Sequence, residues 1–228
     1  MMELLATAGG SIVIRQWMAS LTAVAVRMVA RLITTARPVW QGLEPLPGQR
    51  IYFANHASHG DFVLIWMTLP PRLRRRARPV AGADYWRSSG LKRFLIHDVF
   101  HGVLIERVPD PNGENPLDVM NAALDAGDSL ILFPEGTRNT TDQPLQAFRS
   151  GIYRLARAHP EVELVPVWID NLNRVLPKGE VVPIPLLCSV IYGEPLVLQH
   201  QESREAFLER ARASLLALSS AHGGEKDD

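Results

Sequence analysis

Short apolar runs, separated by longer mixed stretches, recur through the middle of the chain. Residues 51–54 are rich in β-formers and follow Pro47-Gly48, so they predict a strand. Residues 130–133, which follow Ser129, are apolar throughout, which is typical of a strand covered on both faces of a sheet. The predicted strands are 50–55, 80–83, 102–107, 129–133, 162–169 and 186–192, and the predicted helices are 61–69, 84–99 in two pieces, 116–126, 148–159 and 203–220. This order predicts an α/β fold with a central, largely parallel or mixed sheet flanked by helices.

Residues 17–36 predict an amphipathic helix ahead of this domain. Polar side chains recur at helical spacing along one stripe, while Trp17, Leu21, Val24, Met28 and Leu32 lie on a wide apolar face. Arg27 and Arg31 would together cost roughly 5–7 kcal/mol inside a membrane span. We therefore expect a helix that lies in the membrane interface. The alternative is that its apolar face packs on the main domain.

The chain divides into three parts by pattern. Residues 1–40 are assigned to an N-terminal membrane-associating segment, 41–222 to one α/β domain and 223–228 to a loose polar tail. Residues 1–14 lack the basic start of an export signal, so we expect the cytoplasmic side of the membrane.

Charge is divided unevenly between the halves of the chain. Residues 1–108 carry 14 Lys and Arg against 6 Asp and Glu, and residues 109–228 carry 10 against 18, so the halves are +8 and −8. The densest basic stretch holds Arg72, Arg74, Arg75, Arg76 and Arg78, and we expect it either to face solvent or to meet anions such as a membrane surface or an acidic carrier protein. The single cysteine, Cys188, excludes an internal disulfide and a multi-cysteine metal site.

A polar turn between two apolar runs holds the first candidate for chemistry. Asn55-His56, four further residues and Asp61 fall between the strand at 50–55 and the helix at 61–69. An imidazole oriented by a carboxylate is the usual general base near neutral pH. A purely structural alternative is that Asp61 only caps the following helix.

The string 133–138 (Phe-Pro-Glu-Gly-Thr-Arg) places charge at the end of a buried strand, where open α/β sheets bind ligands. Arg138 can fork onto phosphate oxygens, and Glu135 can fix a substrate hydroxyl or hold a neighbouring arginine. A surface turn with a Glu-Arg ion pair is the alternative. Three more strings are candidate motifs. They are Ile105-Glu106-Arg107 at a strand end, Phe148-Arg149-Ser150-Gly151, and the apolar Val165-Pro166-Val167-Trp168.

These strings, in this order over residues 51–170, resemble the signature motifs of glycerolipid acyltransferases, the family that includes 1-acylglycerol-3-phosphate (lysophosphatidic acid) acyltransferase. Two positions depart from the usual pattern: Asn139 stands where a serine is common, and Arg149 where a lysine is common. The resemblance implies that His56 is the catalytic base and that Asp61 orients it. It also implies a substrate-binding set of Arg107, Glu135, Gly136, Thr137, Arg138 and Arg149, in which the arginines hold the acceptor phosphate and Glu135 positions glycerol hydroxyls.

The resemblance further implies transfer of a fatty acyl group from acyl-CoA or acyl carrier protein to a lysophospholipid hydroxyl, most simply that of lysophosphatidic acid, giving phosphatidic acid. We expect no metal, no redox cofactor and no nucleic-acid partner, and we expect the protein at the cytoplasmic face of the inner membrane. Other acceptors, including glycerol-3-phosphate, remain alternatives.

Two other classes compete with an acyltransferase. A hydrolytic metal site could use His56, His59 and Asp61, or His97 and His101 on one helical face. A non-catalytic lipid-binding module is the other alternative. A serine hydrolase is disfavoured, because the chain has no Gly-x-Ser-x-Gly elbow.

Overall fold

A seven-stranded sheet forms the centre of the computed structural model, which describes residues 13–28, 36–58, 60–106, 113–170 and 188–223. The strands are β1 (Arg37–Trp40), β2 (Arg50–Ala54), β3 (Ala77–Gly82), β4 (Val103–Ile105), β5 (Ser129–Leu132), β6 (Glu163–Asp170) and β7 (Ser189–Tyr192). Their order is β1-β7-β6-β2-β5-β3-β4. Strands β2 to β6 pair in parallel, whereas β7 is antiparallel to β6 and parallel to β1. The predicted largely parallel, mixed sheet is confirmed.

Helices cover both faces of this sheet. They are α1 (13–28), α2 (Asp61–Thr68), α3 (Pro71–Arg74), α4 (Ala83–Trp86), α5 (Gly90–Phe94), α6 (Pro116–Asp125), α7 (Gly151–Ala158) and α8 (Arg204–Gly223), with a π-helical turn at Leu95–Val99.

Strand β2 shows why its sequence has no polar face. Tyr52 and Ala54 point into the core on the α2 side, and Ile51 and Phe53 into the core beneath α6, α7 and α8. Because both faces are covered, the strand is a continuous apolar run.

Two helix starts are capped by residue types that favour this position. Asn115 Oδ1 accepts the Leu117 backbone N–H at 3.0 Å, directly before the proline that begins α6. Ser203 Oγ accepts the Ala206 N–H at 3.2 Å at the start of α8.

The structure differs from the sequence prediction in two places. Residues 37–40, placed with the N-terminal segment, form the edge strand β1 against β7. The stretch 70–79, which lies between the predicted helix at 61–69 and the predicted strand at 80–83, contains α3 and the start of β3. Pro166 lies on the internal strand β6, and its carbonyl accepts the Gly193 N–H at 2.9 Å.

Helix α1 packs on the domain through its polar and small side chains. Ala19 is buried against the core, and Arg15 donates to Asp98 at 2.8 Å. The opposite face is apolar and exposed, with Val13, Ile14, Trp17, Met18, Leu21, Val24 and Met28. The predicted amphipathic pattern is therefore present over 13–28. Within the described ranges, no helix is both long and apolar enough to span a bilayer.

Candidate active site

Two of the predicted motifs meet at one edge of the sheet. Strands β2 and β5 are parallel neighbours, and Phe53 pairs with Leu132. The chain therefore leaves β2 through Asn55-His56 beside the point where it leaves β5 through Phe133-Pro134. This is the carboxyl edge, at which open α/β sheets bind ligands.

His56 and Asp61 form a hydrogen-bonded pair in the turn between β2 and α2. His56 Nδ1 lies 2.9 Å from Asp61 Oδ2, and Asp61 is 1 % exposed. The same oxygen accepts the backbone N–H groups of Ala57 at 2.7 Å and Ser58 at 2.9 Å. Because Oδ2 accepts in all three bonds, Nδ1 carries the ring proton and Nε2 presents its lone pair. Nε2 makes no hydrogen bond to the described residues, so it can accept a proton from a substrate.

The alternative role of Asp61 as a helix cap is not what the structure shows. Helix α2 begins at Asp61, and its N-cap, Gly60, makes no side-chain capping bond. The carboxylate instead binds amides of the preceding turn, together with the imidazole. Its contacts order the turn around His56.

Glu135 connects the loop after β5 to the turn that holds His56. Its carboxylate is 2 % exposed and accepts the His56 backbone N–H at 2.9 Å through Oε1 and the Gln146 backbone N–H at 2.9 Å through Oε2. Both oxygens thus satisfy backbone donors, which would be costly to leave unpaired in a buried site. Among the described residues, the carboxylate has no arginine partner, and it is buried away from the site surface.

Gly136 gives the loop its shape. It has φ of +73°, and a side-chain Cβ there would collide with Cδ and Nε of Arg149. Arg149 Nε lies 3.3 Å from the Glu135 carbonyl, and its own backbone N–H donates to Pro134 O at 2.8 Å. The glycine therefore allows the Arg149 side chain to lie across the loop.

Two of the three predicted phosphate-binding arginines lie on this loop system. Arg138 and Arg149 are exposed, and neither makes an ion pair with the described residues. Thr137, which lies between Gly136 and Arg138 in sequence, is also exposed. Arg107 lies outside the described residues, and β4, which precedes it, ends beside the site at Ile105.

An apolar cavity of about 170 Å³ opens beside His56. Its wall also includes Gly136 and Arg149, so the imidazole, the glycine loop and a cation share one opening. The interior is hydrocarbon, lined by Val80, Ile105, Met120, Leu132, Ile152 and Leu155. The site thus combines a free imidazole nitrogen, exposed guanidinium groups and an apolar recess.

Comparison with protein families matches residues 37–170 to the family described as Acyltransferase. This match spans more than half of the 228 residues. The chain belongs to the acyltransferase family.

Solved structures support the same assignment at the level of fold. The crystal structure of the 1-acyl-sn-glycerophosphate (LPA) acyltransferase PlsC from Thermotoga maritima is similar, with a TM-score of 0.67 and 19 % identity over 95 % of this chain and 89 % of that one. A comparison with curated proteins found no match.

Three further groups in this acyltransferase site have no role in the sequence prediction. The Phe133 ring stacks on the His56 ring with centroids 4.2 Å apart. The Asn55 side chain exchanges two hydrogen bonds with the backbone of Ile169, at 2.8 and 3.1 Å. The Asn139 N–H donates to the His56 carbonyl at 2.6 Å. Asn55 and Phe133 belong to the predicted motif strings, but no role was predicted for their side chains. The Asn55 side chain bonds Ile169 and the Phe133 ring stacks on His56, and both partners are distant in sequence.

The metal-site alternative finds no support in the described ranges, which contain no group of three or more candidate ligands. His59 lies outside those ranges. His97 lies in the π-helical turn and His101 beyond it with φ of +49°, so the two do not share an α-helical face. Both line a different cavity from that of His56.

Proposed function

We propose that this acyltransferase moves a fatty acyl group from a thioester to the free hydroxyl of a lysophospholipid, with lysophosphatidic acid as the acceptor. The observation that carries the proposal is the position of His56. Its Nδ1 is held by Asp61, and its ring lines an apolar recess bordered by Arg149. A base, a hydrocarbon pocket and a phosphate-binding cation are the three things that this reaction requires.

His56 acts as general base in the proposed reaction. Nε2 takes the proton of the acceptor hydroxyl while the hydroxyl oxygen attacks the thioester carbonyl carbon. The tetrahedral intermediate then collapses, the C–S bond breaks, and the imidazolium returns the proton to the leaving thiolate. Asp61 stabilises the imidazolium throughout and holds the ring in the tautomer that exposes Nε2.

Transfer is direct, without an acyl-enzyme. Cys188 is buried on the other side of the sheet core, in the cluster that contains α2, and the pKa of its thiol is raised by burial and by nearby Asp170. A thiol with a raised pKa is a poor nucleophile at neutral pH. Both substrates, the thioester and the lysolipid, must therefore be bound beside His56 at the same time.

Arg138 and Arg149 hold the phosphate of the acceptor, with Arg107 as the third member. Exposed guanidinium groups without a carboxylate partner can fork onto phosphate oxygens. The loop that carries them is fixed by Gly136 and by the buried Glu135. We assign Glu135 to holding this loop and the His56 peptide in place, a different role from contact with glycerol hydroxyls.

The donor is acyl-CoA or acyl carrier protein, and its acyl chain enters the apolar recess. No metal or redox group takes part in the proposed reaction. The exposed apolar face of α1 lies in the membrane interface, at the cytoplasmic face of the inner membrane, where the lysolipid and the product partition.

Product analysis with a panel of acceptors tests the substrate assignment. Purified protein is incubated with a long-chain acyl-CoA and either lysophosphatidic acid, glycerol-3-phosphate or lysophosphatidylcholine, and lipid products are identified by mass spectrometry. We expect phosphatidic acid as the main product, and Arg138→Gln to raise KM for lysophosphatidic acid with little change in KM for acyl-CoA. A main product from either other acceptor would contradict the assignment.

A further inference from the structure

The arginines of the basic stretch at 72–78 differ in what their side chains face in the structure. Arg78 donates to the Asp128 carboxylate at 3.0 Å. Arg72 and Arg76 each reach a backbone carbonyl at 3.2 Å, those of Pro45 and Gly127. Arg74 and Arg75 have no carboxylate partner among the described residues, and both line the crevice between α1 and the domain.

Arg74 is held firmly in this crevice. Its side chain is half-buried, with the guanidinium carbon 5.2 Å from the centre of the Trp66 ring and Nη1 3.3 Å from the Leu69 carbonyl. Burial lowers its pKa, and the charge of Arg27 on α1 lowers it further. A cation that is partly desolvated and faces a second cation has an unmet need for an anion.

Arg27 and Arg74 line one cavity of about 440 Å³, and Arg74 and Arg75 line an adjoining one of about 730 Å³. Both volumes fall within the range of small-molecule sites, about 300–1,000 Å³. Among the described residues, the carboxylate lining these cavities is Asp98, which is already bonded to Arg15 at 2.8 Å. The sequence from 29 to 35, next to Arg27, contains no Asp or Glu.

We propose that Arg27, Arg74 and Arg75, the cationic cleft, bind the phosphate of an anionic phospholipid headgroup from the membrane. The source of the phosphate follows from α1, because Val24 and Met28, two exposed apolar side chains of its outer face, line the same cavity as Arg27. A lipid whose chains lie beside that outer face can place its headgroup over the cleft. The inference rests on the membrane docking proposed above, and adds a site that distinguishes anionic from neutral membranes.

Vesicle binding by two variants with the same loss of charge tests the cleft. Arg74→Gln/Arg75→Gln removes two cleft arginines, and Arg72→Gln/Arg76→Gln removes two from the same stretch that line neither cavity. Each is titrated with vesicles of phosphatidylcholine and with vesicles of equal parts phosphatidylcholine and phosphatidylglycerol. Wild-type binding to the neutral vesicles reports docking by α1, and the gain on adding phosphatidylglycerol reports the cleft.

The gain is the ratio of the affinity for vesicles with phosphatidylglycerol to the affinity for neutral vesicles. We expect Arg74→Gln/Arg75→Gln to reduce this ratio at least about tenfold more than Arg72→Gln/Arg76→Gln does, because charge-assisted forked bonds to phosphate are lost only in the cleft. Diffuse attraction would cost about fivefold per arginine in both variants. Equal losses would therefore overturn the cleft, as would a wild type that binds neutral vesicles but gains nothing from phosphatidylglycerol. If wild type transfers acyl groups but binds neither vesicle, both the docking and the cleft fail while the proposed reaction stands.

A kinetic measurement distinguishes binding of a lipid phosphate in the cleft from binding of the phosphates of acyl-CoA. In neutral detergent micelles, the cleft variant should keep the wild-type KM for acyl-CoA. A raised KM with an unchanged vesicle gain would assign the cleft to the donor and overturn the proposal. If Arg74→Gln unfolds the protein because Trp66 loses its partner, the single variant Arg75→Gln, at an exposed position, carries the same comparison against Arg72→Gln.

Discussion

The backbone N–H of His56 donates to the Glu135 carboxylate at 2.9 Å, across 79 residues of sequence. This bond joins the histidine turn after β2 to the glycine loop after β5. It couples the position of the proposed base to the position of the arginines that we propose to bind phosphate.

Glu135→Gln should therefore lower kcat rather than weaken acceptor binding. The amide has one oxygen for two backbone donors, and its NH₂ group would oppose the second, so we expect a loss of about 1–3 kcal/mol in the free energy of unfolding. We expect kcat to fall roughly tenfold or more as His56 shifts. Steady-state kinetics and urea unfolding measure both, with Glu161→Gln as an exposed control. A raised KM for lysophosphatidic acid at unchanged kcat would favour contact between Glu135 and the glycerol.

Asp61→Asn should remove the negative charge beside the imidazole while keeping the shape of the turn. The amide oxygen can replace Oδ2 in its three hydrogen bonds, but the imidazolium formed in the reaction loses its counter-charge. We expect kcat to fall about 10²–10⁴-fold with KM values little changed. Asp118→Asn, in the exposed first turn of α6, is the matched control. Retention of full kcat in Asp61→Asn would show that Asp61 is only structural.

Gly136→Ala tests the loop that carries Arg149. The residue has φ of +73°, and the added Cβ collides with the Arg149 side chain. We expect a loss of about 1–2 kcal/mol in stability from the left-handed backbone, and a raised KM for the lysolipid as Arg149 is displaced. Gly90→Ala is the control, since nothing lies within 4 Å of its Cβ position. Thermal melts and acceptor kinetics distinguish the two, and identical behaviour would contradict this view of the loop.

Met120→Ala should shift the preference of the enzyme toward longer acyl chains. Met120 is buried and lines the recess beside His56. Each further methylene admitted contributes about 0.8 kcal/mol, or about fourfold in kcat/KM, against a stability cost of about 2–5 kcal/mol. Leu215→Ala, in the same core cluster but away from the recess, controls for destabilisation. Kinetics with an acyl-CoA length series measure the shift. An unchanged length profile would place the acyl chain elsewhere.

Trp17→Ser should weaken binding to phosphatidylcholine vesicles. The indole is exposed on the outer face of α1, and its transfer to the bilayer interface contributes roughly 2 kcal/mol or more. Leu91→Ser, on α5, removes an equally exposed apolar side chain that is not on α1. Vesicle co-sedimentation compares them. If both variants bind as wild type does, α1 does not dock through this face.

The sequence predicts the parts of the site that are local. The strand, turn and helix around His56 follow from two apolar runs on either side of a polar turn. The caps at Asn115 and Ser203 follow from residue type. The buried strand before Glu135 follows from its unbroken apolar composition.

The remaining features depend on contacts that sequence pattern does not encode. The partners of Glu135 are backbone amides, which every residue possesses, so nothing marks Gln146 in advance. Strand β1 is short and contains Pro38, which looks like the end of a helix until β7 is seen to pair with it. Which arginines of the basic stretch line the crevice beside α1 likewise depends on contacts between residues that are distant in sequence.

Free-thiol release from a long-chain acyl-CoA tests the central claim most directly. Purified wild type and His56→Ala are compared with and without lysophosphatidic acid. The account predicts thiol release that requires both the lysolipid and His56. Release that is indifferent to the acceptor would instead indicate a thioesterase, and full release by His56→Ala would contradict the histidine as base.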